Sequence, residues 1–219
     1  MVNSERPGLE DQGVYTRRLL RMYDPMVFGF NLPVVWRSSK RRLLELYDRC
    51  VSSRHLDVGV ATGRLLDECR FPSAKPEITL MDIYSNPLEV ASRRLARYAP
   101  RVHQADAMEP WGLPSAGFDS VGLVNLLQCI QGSMPQKTIV FEHARSVLAP
   151  GGVVFGATVL VGGVEHTRLS RRMLKTGNRR GAYCNLEDNL DDLEAGLARA
   201  FDSHEMEIEG ALALFSARG

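Results

Sequence analysis

Asp57, Gly59, Ala61 and Gly63 occupy alternate positions in the stretch His55-Leu56-Asp57-Val58-Gly59-Val60-Ala61-Thr62-Gly63-Arg64-Leu65-Leu66-Asp67. An apolar run closed by an acid, then a small residue at every second position, gives a backbone that turns tightly and lets a ligand approach without Cβ obstruction. A helix starting at Gly63 or Arg64 would point free amide N–H groups back at that ligand. A second acid, Asp82, closes the run Ile78-Thr79-Leu80-Met81. It follows Gly63 at close to the interval of about 20 residues at which a βαβ unit delivers a carboxylate to a ribose. Two vicinal hydroxyls are two donors, and a carboxylate offers two acceptor oxygens. The loop alone reads equally as simple punctuation between strand and helix. Loop and acid together say considerably more than either does separately.

These elements must be carried by a chain of 219 residues with 44% hydrophobic and 24% charged residues, enough for one sizeable core and short for two domains. A formal net charge of +1 gives no field that would recruit nucleic acid or a membrane surface. The cysteines Cys50, Cys69, Cys129 and Cys184 are far apart, without C-x-x-C or metal-like spacing, and read as reduced, mostly buried thiols. No metal is expected. No apolar signal core opens the chain and no run approaches the 18 or so apolar residues of a membrane span, so a cytoplasmic location is expected.

G-x-G-x-x-G counted from Gly59 fails at Ala61 and Arg64, which excludes the dinucleotide fingerprint. The pattern D-x-G-x-(G/A)-x-G does match, and with it the chain resembles the class I S-adenosylmethionine-dependent methyltransferases. Further landmarks follow in order: Asp82, then Asp106 closing the run Arg101–Ala105, then F-D-x-V at Phe118–Val121, then L-x-P-G-G at Leu148–Gly152. The resemblance covers about residues 38–219. It implies a Rossmann-like, doubly wound α/β fold: a seven-stranded, mostly parallel sheet with one antiparallel strand near the C-terminus, reversed at the sheet edge. Independently of it, His204–Glu209 and Ala211–Ala217 joined at Gly210 read as an antiparallel hairpin.

The resemblance implies S-adenosyl-L-methionine as cofactor. Asp57, Gly59, Ala61 and Gly63 would then lie under its methionine end, Asp82 on the ribose, and Asp106, Ala107 and Met108 at the adenine, with a backbone N–H reading the ring. Ile83 and Leu123 complete the implied cofactor set. Gln128 stands where a His is common in the family, and an amide orients a hydroxyl or a water but accepts no proton near neutral pH.

Before the first strand, residues 1–13 read as a loose tail and Val14–Tyr23 as a helix with a basic face, stopped by Asp24-Pro25. Met26–Trp36 is aromatic and apolar but interrupted by Gly29 and Pro33, and is expected not to form one regular element. As part of a strap over residues 1–37 it either crosses the core or covers a substrate pocket. The second reading makes Tyr15, Phe28 and Trp36, with Asn125, the acceptor-binding residues and Tyr23 a catalytic candidate. A helix is expected through Ser38–Val51, and others over Arg64–Arg70, from Asn86 to about Tyr98, from Pro135 to Leu148 and over Leu186–Phe201.

Between about residues 161 and 185 the pattern is neither strand nor clean core helix and is expected to be an insertion beside the site. His166 within it is the candidate base, since His titrates near neutrality unperturbed. Its basic run from Arg168 to Lys175 reads as a solvated face. The expected activity is methylation of a small, aromatic or polyketide-like acceptor, with oxygen favoured over nitrogen or carbon and the partner a small molecule. The expected assembly is a monomer or homodimer. Because Ala61 adds a methyl where the family carries Gly, and Gln128 replaces His, the alternative is a cofactor-binding protein that catalyses a cyclisation or rearrangement, or senses a ligand.

Overall fold

The computed structural model describes residues 15–219; the expected tail and Val14 lie outside the described residues. Helix α1 (Arg17–Met26) starts at Thr16, whose hydroxyl accepts from the Leu19 N–H. The expected stop at Asp24-Pro25 does not occur. The chain runs through Pro25 and continues as a π-helical segment, Val27–Trp36, with Gly29 and Pro33 inside it. Met26–Trp36 is therefore regular, contrary to expectation. A wider turn moves the preceding carbonyl off a prolyl ring, which an α-helix cannot do. Tertiary bonds fix the join. Asp24 is buried, its carboxylate accepting from Thr62 Oγ1 at 2.5 Å and from the Arg94 guanidinium at 2.8 Å. Leu32, Val35 and Trp36 pack into the core, and Arg37 ends the segment in the left-handed region.

Helix α2 (Lys40–Cys50), capped by Ser39, leads into β1 (Arg54–Val58), the loop, and a short α3 (Arg64–Glu68). Then follow β2 (Glu77–Asp82), α4 (Ser85–Arg94), β3 (Arg101–Gln104) and β4 (Phe118–Val124). Helices α5 (Met134–Lys137) and α6 (Ile139–Val147) lead to β5 (Leu148–Val159), which takes in the L-x-P-G-G turn. The expected insertion contains a regular helix, α7 (Arg168–Arg179), capped by Thr167. Its arginines 168, 171 and 172 are exposed while Ser170, Leu174 and Gly177 face inward. Helix α8 (Leu190–Ala200) and the hairpin β6 (Ser203–Glu209) and β7 (Leu212–Arg218) complete the chain.

The strands form one seven-stranded sheet in the order β3-β2-β1-β4-β5-β7-β6. Strands β1 to β5 run parallel, and β7 is antiparallel to both β5 and β6, so the reversed strand lies one in from the edge, not at it. Each face carries its own apolar layer: α2, α3, α4 and the π-helical segment on one, α6 and α8 on the other. Central strands covered on both faces are buried along nearly their whole length, as β1, β2 and β4 are.

Candidate active site

The chain leaves β1 outward to β2 and β3 and then returns to β4 on the other side, which makes the carboxyl ends of β1 and β4 the switch point of the sheet. A cleft of about 1040 Å³, counting space open to solvent, lies there. Four successive strand ends line it: Gly59 and Ala61 after β1, Asp82 and Ile83 at β2, Asp106 to Met108 after β3, and Asn125 after β4. Gly59 (φ +77°), Ala61 (φ +47°) and Gly63 (φ +68°) all take left-handed conformations. A Cβ on Gly59 would stand 2.9 Å from Leu126 Cδ1, the movable end of a side chain, so at that position it is the positive φ that favours glycine. Ala61 meets the same demand with a side chain, at a cost on the order of 1 kcal/mol.

Asp82 is only 8% exposed, and its Oδ1 accepts from the Tyr84 N–H at 3.0 Å. Burial pushes its carboxyl up to about 7, against the pull of the backbone N–H groups of Tyr84, Val60 and Ala61. Those amides do not offset its burial, and a vicinal diol supplies two further donors. Asp106 Oδ1 accepts from the Met108 N–H at 2.9 Å, so that amide is already engaged by its neighbour and is not free to read a ring. Asp57 is buried; its Oδ1 accepts from the Tyr47 hydroxyl at 2.8 Å and lies 3.5 Å from Nε2 of the fully buried His55.

Two further chambers adjoin the cleft. One lies under the glycine loop, walled by Asp57, Gly63, Tyr47 and Phe28. The other, about 590 Å³ counted in the same way, is walled by Tyr15, Met26, Asn31, Leu32, Trp36 and Tyr183 among others. Tyr23 and Asn125 line all three spaces and mark their junction. Asn125 can stand there because its own φ is +59° and its N–H is held by the Ala157 carbonyl at 2.7 Å. The edge-on contact of Trp36 with Tyr183 ties the π-helical segment to the loop after α7.

Four expected site residues are placed otherwise. Leu123 is fully buried in the apolar layer and lines none of these spaces. His166 lies outside them too, half-buried, with Nδ1 against Ser170 Oγ at 3.2 Å. Gln128 reaches the outer chamber, but its Oε1 accepts from Thr158 Oγ1 at 3.0 Å and the Val159 N–H at 3.2 Å, and its Nε2 donates to Asn125 at 3.3 Å. It braces the turn after β4 against β5. Phe28 is separated from Tyr15 and Trp36, facing the chamber under the loop. Sequence reasoning missed Asn31, Cys129, Cys184 and Tyr183 as lining residues. For Asn31 a signal existed, a single amide inside an apolar, aromatic run. Among the described residues no cluster of three His, Cys, Asp or Glu side chains could hold a metal, and no helix is long and apolar enough to cross a membrane.

Known proteins give the same answer as the geometry. The family described as "Methyltransferase domain" matches residues 56–154. The chain is 40% identical to demethylluteothin O-methyltransferase of Streptomyces thioluteus over 95% of this chain and 91% of that one. It is 34% identical to N-methyltransferase vrtF of Penicillium aethiopicum, over 82% and 75%. In fold it is similar to phosphoethanolamine N-methyltransferase 2 of Haemonchus contortus, with a TM-score of 0.64 and 21% identity over 92% of this chain; it spans about half, 46%, of that longer chain. By its curated relatives, its fold and the four strand ends that converge on one cleft, the chain belongs to the class I S-adenosylmethionine-dependent methyltransferases.

Proposed function

We propose that the chain O-methylates a small, flat, largely apolar acceptor of natural-product type. The observation that carries this reading is the junction at Tyr23 and Asn125, where an aromatic and aliphatic chamber opens on the ribose-and-loop cleft. In this reading Asp82 holds the ribose hydroxyls, Ile83 and Asp106 to Met108 flank the adenine, and Asp57 with Gly59, Ala61 and Gly63 holds the methionine end. Tyr15, Tyr23 and Trp36 clasp the acceptor, and Asn125 faces the reacting atom. When bound, S-adenosylmethionine supplies a methyl group on a cationic sulfur, so little acid catalysis is needed. The protein's task is alignment, with reacting atoms held about 3–3.5 Å apart in line. That the relatives include O-methyltransferases of natural-product clusters supports oxygen, although one acts on nitrogen.

The test is incubation with methyl-labelled S-adenosylmethionine and matched panels of phenols, enols and aryl amines, with products read by mass spectrometry. Labelled methyl ethers are expected. Labelled amines without ethers would move the assignment to nitrogen.

A further inference from the structure

The outer chamber contains a polar group that the fold does not use. Asn31, on the π-helical segment, is 7% exposed and lines this chamber, and its amide has no hydrogen-bond partner among the described residues. Its polar atoms are not among the fully sealed ones, and the residue itself forms part of the chamber wall. Buried amides are almost always paired, because an unpaired one forfeits its hydration without return. Every neighbour in the wall is apolar or aromatic except Asn125, Gln128, Cys129 and the tyrosine hydroxyls. The amide of Asn125, which lines the junction, accepts from Gln128 through its oxygen, so that bond leaves its NH2 unused.

The chamber also lacks a base. Its titratable lining groups are Tyr15, Tyr23, Tyr183 and Cys129. The neighbouring Cys129 and then burial push the Tyr15 hydroxyl well up, burial does the same for Tyr23 and Tyr183, and it pushes the Cys129 thiol up to about 11. None of these takes up a proton near neutrality. Asp57, Asp82, Asp106 and Cys184 face the adjoining spaces, and Asp24 is bound by Thr62 and Arg94. Lys137, behind the wall, is fully buried and donates to Asp188 and to the Cys184 carbonyl.

We infer that the acceptor is an enol or phenol made acidic by a conjugated carbonyl, that it reacts as the oxyanion it already is in solution, and that Asn31 recognises the carbonyl while Asn125 lies at the oxyanion. The inference rests on the O-methyltransferase reading and narrows it. A conjugated carbonyl answers both observations: it lowers the pKa of the hydroxyl without help from the protein, and it is an acceptor for the donor that Asn31 leaves unpaired. The step balances without a base. The acceptor oxygen forms the C–O bond, the C–S bond breaks with its electron pair left on sulfur, the two opposite charges cancel, and the proton has already gone to solvent. Asn31 is then a specificity-determining residue.

The experiment is the pH dependence of kcat/KM at saturating S-adenosylmethionine for 4-hydroxycoumarin, 4-nitrophenol, 4-hydroxyacetophenone and 4-ethylphenol, with wild-type protein and N31L. For the wild type the break in each profile should move with the acidity of that acceptor. In N31L the carbonyl-bearing acceptors should lose about 10- to 100-fold in kcat/KM, as for one lost polar contact, while 4-ethylphenol and the calorimetric affinity for S-adenosylhomocysteine stay within about threefold. A single break shared by all acceptors would reveal a protein base and overturn the inference alone, with the wild-type profiles deciding even if the variant fails to fold. Equal losses on 4-ethylphenol and 4-hydroxyacetophenone would remove Asn31 from recognition. Tight S-adenosylhomocysteine binding with methylated amines and no methyl ether would overturn both this inference and the O-methyltransferase reading.

Discussion

On the sheet side of the cavity Gly59, Ala61, Asp82 and Asp106 stand at the ends of three parallel strands that pair with one another. On the opposite side Tyr15, Tyr23, Asn31 and Tyr183 come from the N-terminal helical arm and from the loop after α7, which meet only in space. The sheet wall is backbone in forced conformations plus two carboxylates. The helical wall is side chains, held in place by a few buried polar ties: Asp24 to Thr62 and Arg94, and Lys137 to Asp188 and the Cys184 carbonyl. The first design fixes one ligand chemistry. The second permits acceptors to change while the fold stays the same, because side chains on a lid can be exchanged without touching the strand ends.

The ties on the helical wall offer the largest way to break this contrast. Lys137→Met leaves Asp188 buried without its cation, and should destabilise the protein by about 3–5 kcal/mol in chemical denaturation. Adding Asp188→Leu should restore much of it. In the folded fraction KM for the acceptor should rise while S-adenosylhomocysteine affinity holds; a loss of cofactor affinity instead would mean that the walls are not separable.

On the sheet wall, Asp82→Ala removes both acceptors from the ribose site. At about 1.5–3 kcal/mol for each hydrogen bond to a charged group, calorimetry should register a loss of about 100-fold or more in S-adenosylhomocysteine affinity. Asp82 also sets a pH dependence. Its folded value of about 7 lies above the unfolded one of about 3.9, so its contribution to stability falls as pH rises from about 4 to 7. A diol prefers the ionised carboxylate, so wild-type affinity should tighten as pH rises through about 7, with proton release visible as a buffer-dependent enthalpy. Asp82→Asn should flatten both profiles.

Smaller effects sharpen the same picture. Ala61→Gly relieves a left-handed alanine, and should raise stability by up to about 1 kcal/mol, partly offset by the freer unfolded chain. Thermal melts check it, and cofactor affinity should change less than threefold. His166→Ala should leave kcat within about twofold at every pH, since His166 lies outside the cavity. A tenfold loss would bring His166 back as a base.

The sheet wall was legible because its information is local. A strand, a small-residue loop and an acid at βαβ spacing locate Asp57, Gly59 and Asp82 without reference to the rest of the chain, and the family resemblance adds Asp106. The helical arm was not, because Pro25, Gly29 and Pro33 are breakers by local propensity, and what overrides them is tertiary: the buried Asp24 carboxylate and the packing of Leu32, Val35 and Trp36. The surroundings of Gln128 and His166 were not legible for a related reason. Residue type alone does not say that Thr158 and Val159 occupy the Gln128 oxygen, or that His166 turns to Ser170.

The division of the cavity is tested most directly by titrating S-adenosylhomocysteine calorimetrically into wild-type protein, Asp82→Ala and Asn31→Leu under one set of conditions at pH 8. The account predicts binding lost in Asp82→Ala and unchanged in Asn31→Leu. Wild-type binding in Asp82→Ala, or its loss in Asn31→Leu, would contradict it.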